Sequence, residues 1–185
     1  MFRTATPTFH LSDDIDIRDY AKEYNNYHKL HSEIDLTLEN EFLSIKKPLI
    51  KLDLEFLRKI AHWKSPRSSG HIEKNEPEYV QAVTSFVFQT KNERARIEAL
   101  TILSGVQWPM ASVILHFFHE DPYPILDYHA LNCFGVDQPN QYDFSFWWSY
   151  VEACRNLSAR YSVDMRTLDK ALWMYDKKKK GRKEA

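Results

Sequence analysis

The stretch Leu103-Ser104-Gly105-Val106-Gln107-Trp108-Pro109-Met110-Ala111 joins two helical patterns through one tight turn. Gly105 is placed to take a left-handed backbone conformation where the first helix ends. Pro109 falls in the first turn of the second helix, where a missing N–H costs nothing. Ala111, Ile114, Leu115 and Phe118 then continue at helical spacing. Such a turn presents backbone N–H groups at a helix start, which suits a phosphate oxygen. It is equally the ordinary connection between two packed helices.

Outward from this turn the helical period repeats. Aspartates lead from Ser12, and Ile15, Tyr20, Tyr24, Tyr27 and Leu30 follow at three- to five-residue spacing, predicting a helix to about Ile34. Asp53 is an N-cap for Leu54, Phe56, Leu57 and Ile60, and Ser65–Gly70 reads as a loop. Pro77 opens a helix bearing Tyr79, Val80, Val83, Phe86 and Val87, and Asn92 caps another with Ile97, Leu100, Ile102 and Leu103. Asp143 starts an amphipathic helix to about Tyr161, and Asp164 starts one with Met165, Leu168, Leu172 and Trp173. There is no Asn-Gly or Asp-Gly hairpin signal, no long period-2 alternation and no visible repeat. The fold class expected is all-α, a compact domain of about nine short helices. Residues 1–50 are expected to form an N-terminal helical extension packed on a core domain of residues 51–176, with residues 177–185 a basic flexible tail.

Composition agrees and narrows the function classes. The chain has 185 residues, 43% of them hydrophobic and 14% aromatic, which excludes a disordered or collagen-like chain. Four glycines argue against glycine-rich nucleotide loops. Two cysteines, Cys133 and Cys154, supply neither a four-thiolate cluster nor a disulfide framework. The eight histidines show no metal spacing: His116-x-x-His119 lies at i, i+3 on a helix but lacks a third ligand. No metal and no cofactor are expected. The N-terminus has no leader pattern, and no apolar run approaches the roughly 20 residues of a membrane span. The expectation is a soluble cytoplasmic protein, nuclear if eukaryotic, with no membrane association. The net charge of −1 conceals a contrast, because residues 177–185 carry +5 and the remainder −6. The basic run is either a solvated end or a phosphate-attracting arm.

Beyond the second helix comes Pro122-Tyr123-Pro124-Ile125-Leu126-Asp127-Tyr128-His129-Ala130-Leu131. The ordered pattern Leu-x-Gly-Val-x-x-x-x-Ala, a helix, then Pro-x-x-Asp-x-His resembles the helix-hairpin-helix DNA glycosylase superfamily. Eighteen residues separate Pro109, where bifunctional members keep a lysine, from Asp127, and this matches the family spacing. The specific match covers about thirty residues, and the all-α organisation extends it loosely over residues 50–175. Gln107 replaces the second hairpin glycine, and Pro109 removes the amine needed for Schiff-base chemistry there. No cysteine cluster follows, so the iron–sulfur motif of some members is absent.

The resemblance implies a DNA N-glycosylase, a hydrolase of base-excision repair acting on a base extruded from duplex DNA. Asp127 would be the catalytic carboxylate, stabilising positive charge at C1′ and activating water; alone, it also reads as a helix N-cap. His129 matches the family's histidine, and Tyr123 and Tyr128 would wall the base pocket or pack in the core. Ser104, Gly105, Val106, Gln107 and Trp108 would hold the DNA backbone. A second cluster, His62-Trp63-Lys64-Ser65-Pro66-Arg67, offers Trp63 for stacking and Arg67 for phosphate, or cations complementing a helix C-terminus. Lys64 could replace the amine missing at Pro109, although lyase chemistry at the hairpin position itself is not expected. The alternative is a non-catalytic nucleic-acid-binding or interaction module on the same scaffold.

Overall fold

The computed structural model describes residues 7–11 and 14–181. Among these residues the regular structure is entirely helical, with nine α-helices, one 3-10 helix and no strand. No helix among them is long and apolar enough to cross a membrane. The chain divides into two compact units, Met1–His31 with Pro124–Ala185 and Ser32–Tyr123. These boundaries differ from the expected ones at residues 50 and 176, because the N-terminal helix packs with the C-terminal one.

The unit Ser32–Tyr123 contains α2 (Glu33–Ser44), α3 (Leu54–Lys64), a 3-10 helix (Pro66–Lys74), α4 (Pro77–Gln89), α5 (Glu93–Leu100) and α6 (Trp108–Phe118). Local capping chemistry sets several starts. Asp53 accepts from Phe56 N–H at 2.8 Å, Asn92 accepts from Ala95 N–H at 2.9 Å, and Pro77 and Pro109 sit in first turns. Every residue of α6 from Met110 to Phe118 is buried, as expected of a helix that is apolar on all sides. Leu57, Ile60 and Ala61 of α3, Ile72 of the 3-10 helix, Val80 and Val87 of α4, and Ile97 and Leu100 of α5 complete this core. The stretch 66–70, expected as a loop, is helical because Pro66 opens a 3-10 turn and buried Ile72 holds it down.

The other unit contains α1 (Ile17–His31), α7 (Tyr128–Cys133), α8 (Phe144–Tyr161) and α9 (Met165–Gly181). The helix expected from Ser12 to Ile34 is shorter: Asp16 accepts from Asp19 N–H at 3.0 Å and starts it, Ser32 interrupts it, and Ser12 lies outside the described residues. Asp143 and Asp164 cap where expected, taking the N–H of Phe146 at 2.8 Å and of Thr167 at 2.9 Å. Phe9 meets Phe134, Phe146 and Tyr150 edge-on at 5.4–5.6 Å, the packing that aromatic quadrupoles favour.

Lys177–Lys180, expected to be a flexible tail, continue α9. Lys177 lies 4.7 Å from the Tyr27 ring, Lys179 lies 5.5 Å from Tyr175 and Lys180 lies 3.7 Å from Tyr128. Lys178 pairs with Glu23 at 2.8 Å. These aromatic and acidic partners give the lysines a reason to stay helical that the charge run alone does not show. Arg182 and Lys183 lie outside the described residues.

Candidate nucleic-acid interface

In the unit Ser32–Tyr123, α5 unwinds through successive turns at Thr101–Gly105, and Gly105 takes φ +82°. A side chain there would be strained by the backbone and by contact. An added Cβ would lie 3.0 Å from His71 Cβ and Ile72 Cδ1, and 3.3 Å from Ile72 N. The next helix, α6, begins at Trp108 without a side-chain cap from Gln107.

A residue that sequence reasoning missed holds this turn. The buried Asn75 amide donates to Ser104 C=O at 2.9 Å and to Ile72 C=O at 2.9 Å. Its own oxygen accepts from Ser104 N–H at 2.8 Å. Asn75 therefore satisfies both backbone groups of Ser104 as a neighbouring strand would. In the sequence it is only an asparagine ahead of Glu76-Pro77, and nothing local marks a partner twenty-nine residues away.

Beside the turn opens a cavity of about 550 Å³ lined by Lys64, Ser65, His71, Gly105, Gln107, Pro109 and Met110. It joins two segments singled out separately: the hairpin-like turn and the end of the His62–Arg67 cluster. Lys64 is half-buried and Gln107 exposed. Val106, expected at the DNA, is fully buried in the core, because the backbone reversal at Gly105 turns it inward. Trp63 is half-buried, its ring edge-on to Phe117 at 5.3 Å and to Phe42 at 6.4 Å, so it packs rather than offering a stacking face. Ser104 and Trp108 are half-buried and Arg67 is exposed on the 3-10 helix.

Tyr123, read as a base-pocket wall or as core packing, is fully buried in the core. Its hydroxyl accepts from Arg96 Nη1 at 2.6 Å and donates to Glu93 Oε2 at 2.7 Å. Its carbonyl accepts from His116 Nδ1 at 2.6 Å. Arg96 also donates to the carbonyls of Val87 and Thr90 and pairs with Glu93 at 2.5 Å. This is a structural network: a buried guanidinium is tolerated where its donors are met. Nearby, burial and the Arg96 guanidinium lower the pKa of His119, whose Nδ1 accepts from Asp121 N–H at 3.0 Å.

Asp127, Tyr128 and His129 belong to the other unit. Asp127 is half-buried and caps α7, accepting from His129 N–H at 2.9 Å. His129 Nδ1 donates to the buried Asp176 Oδ2 at 2.7 Å, and Asn132 reaches the same oxygen at 3.1 Å. The carboxylate fixes the imidazole tautomer, with Nδ1 protonated. Asp176 was invisible in the sequence, where it reads as one acid before a basic run. Tyr128 is exposed and lines a cavity of about 420 Å³ with Asn132, Asp176, Lys179 and Lys180.

Among the described residues no three His, Cys, Asp or Glu side chains group to hold a metal ion, and Cys133 and Cys154 are buried free thiols. Burial pushes the Cys154 thiol well above its ordinary range. Comparison with protein-family models, curated proteins and solved structures finds no match to this chain.

Proposed function

We propose that this protein binds DNA at the Gly105 turn and hydrolyses the N-glycosidic bond of a damaged or modified base, with Asp127 as the catalytic carboxylate. The observation that carries the proposal is the 550 Å³ cavity in which the turn and Lys64 meet. A phosphodiester is the ligand that suits it. The glycine allows close backbone approach, the uncapped start of α6 favours an anion, and Lys64 supplies a cation. The Leu-x-Gly-Val and Pro-x-x-Asp-x-His patterns add the reaction. Water would add to C1′ as the C1′–N bond breaks, Asp127 would take the water proton, and the departing base would take a proton in turn. Extruding a base costs a few kcal/mol and least for a mispaired or damaged one, which favours a lesion substrate.

One observation favours a second reading, a non-catalytic DNA-binding module. Asp127 already has a structural role as the α7 cap. Asp127→Asn separates the two, because asparagine caps about as well but carries no charge. Base release from a panel of modified-base duplexes is expected to fall about 10²–10⁴-fold in the variant, with duplex affinity kept. Equal release by wild type and variant removes Asp127 from the mechanism. Salt-dependent binding with no release from any duplex establishes the module instead.

A further inference from the structure

In the unit formed by Met1–His31 and Pro124–Ala185, a second basic cavity of about 470 Å³ lies where α1 meets the start of α9. Arg18 and Lys22 of α1, and Arg166 and Lys170 of α9, all line it. Each helix thus presents a like-charge i, i+4 pair to the same space. Such pairs destabilise a helix unless partners offset them; Arg166 and Lys170 lie over the Tyr24 ring at 5.3 and 5.6 Å, whereas Arg18 and Lys22 have no such ring among the described residues. Among the described residues Arg18 and Lys22 pair with no acid. Asp169 pairs with Arg166, while Asp164, the one carboxylate in the lining, accepts from Thr167 N–H at 2.9 Å and Oγ1 at 2.7 Å. Lys170 holds the neutral Asn25 Oδ1 at 2.9 Å. Arg18 uses only Nη2, on the carbonyls of Ser162 at 2.9 Å and Tyr161 at 3.3 Å. Among the described residues its Nε and Nη1 have no hydrogen-bond partner, which leaves them for an incoming oxyanion. Lys22 is exposed and engages no side chain among the described residues.

We propose that this cavity is a phosphate-binding site. A guanidinium gives planar paired donors and the lysines add point charges, the combination that fits a tetrahedral phosphoryl group. The volume lies in the range of ligand sites, about 300–1,000 Å³, so it admits the phosphate with part of its parent molecule. The phosphate belongs either to a nucleic-acid backbone or to a small phosphorylated molecule. The inference goes beyond the DNA reading above and rests on this unit alone.

The test uses Lys22→Glu, with Lys29→Glu, an exposed change on the same helix outside the cavity, as the charge-matched control. The full chain is titrated with pyrophosphate by calorimetry and with an undamaged duplex over a salt series. If the ligand is a small phosphate, Lys22→Glu weakens pyrophosphate binding ~10-fold or more and leaves the duplex salt slope unchanged. If it is a nucleic-acid backbone, Lys22→Glu reduces the slope of log K against log salt by about 0.9 or more, and Lys29→Glu does not. Indistinguishable behaviour of the two variants with both ligands, or no binding of either by the wild type, overturns the site. Pyrophosphate binding without duplex binding sinks the DNA reading and keeps this one. Base release with identical Lys22→Glu and Lys29→Glu titrations does the reverse.

Discussion

Replacing Asn75 by alanine should loosen the Gly105 turn without touching any residue of the cavity. The side chain makes three hydrogen bonds of 2.8–2.9 Å, two of them to Ser104 and one to Ile72. Each contributes about 1 kcal/mol net, and more where the stranded partner stays out of water. Asn75 is only 6% exposed and Ser104 half-buried, so solvent restores little, and the loss should reach about 3 kcal/mol. For a chain of this size that corresponds to a fall in Tm of roughly 6–12 °C, followed by far-ultraviolet circular dichroism. Amide hydrogen exchange at Ser104 should accelerate more than exchange across α6. Asn75→Asp sharpens the test. It keeps the acceptor for Ser104 N–H but sets an oxygen against two carbonyls that the amide nitrogen contacted at 2.9 Å. That repulsion raises the folded-state pKa of the introduced carboxyl above its unfolded value of about 3.9. The variant is therefore closest to wild type below about pH 4 and loses ground as pH rises through the folded pKa. A Tm for Asn75→Ala within about 1 °C of wild type, or an Asn75→Asp deficit that does not change with pH, would refute the latch.

Two further outcomes are expected from the same unit. Gly105→Ala forces φ +82° on a residue with a Cβ and drives that Cβ to 3.0 Å from the buried Ile72 side chain, so a loss of about 2–5 kcal/mol is expected in urea unfolding. An unchanged urea midpoint would mean that the turn does not adopt this backbone. His119 has a folded pKa held below its ordinary 6.5 by burial and by Arg96, so the unfolded chain takes up the proton first. Stability is then complete above about pH 6.5 and declines as pH falls from there toward the folded pKa, and His119→Gln should flatten this acid-side loss. Parallel pH–stability curves for variant and wild type would assign the loss elsewhere.

What was legible in the sequence follows the range of the physics. Asp53, Asn92, Asp143 and Asp164 announce helices because a cap acts within three residues, and all four accept the expected N–H. Pro77 and Pro109 are legible for the same reason. The all-α class follows from the helical period. The misses depend on distant partners. Lys177–Lys180 look solvated until the rings of Tyr27, Tyr175 and Tyr128 are in place beside them. Tyr123 reads as a pocket wall or as core, and only Arg96 and Glu93, which enclose its hydroxyl, decide for the core. Local spacing carries no record of such contacts.

The same distinction separates the two groups of residues on which the proposed function draws. Gly105 and Lys64 are forty-one residues apart in sequence, belong to unrelated local patterns, and line one cavity of a single compact unit. Asp127 shares a sequence pattern with the turn, yet lies in the other unit, where it accepts from the start of α7. A cap and a catalytic carboxylate make opposite demands of the charge. The amide of Asp127→Asn can still accept the His129 N–H, whereas it cannot take a proton from water or stabilise a cationic sugar. The cap therefore does not need the charge whereas the proposed reaction does, which makes that one substitution more informative than any loss of the side chain.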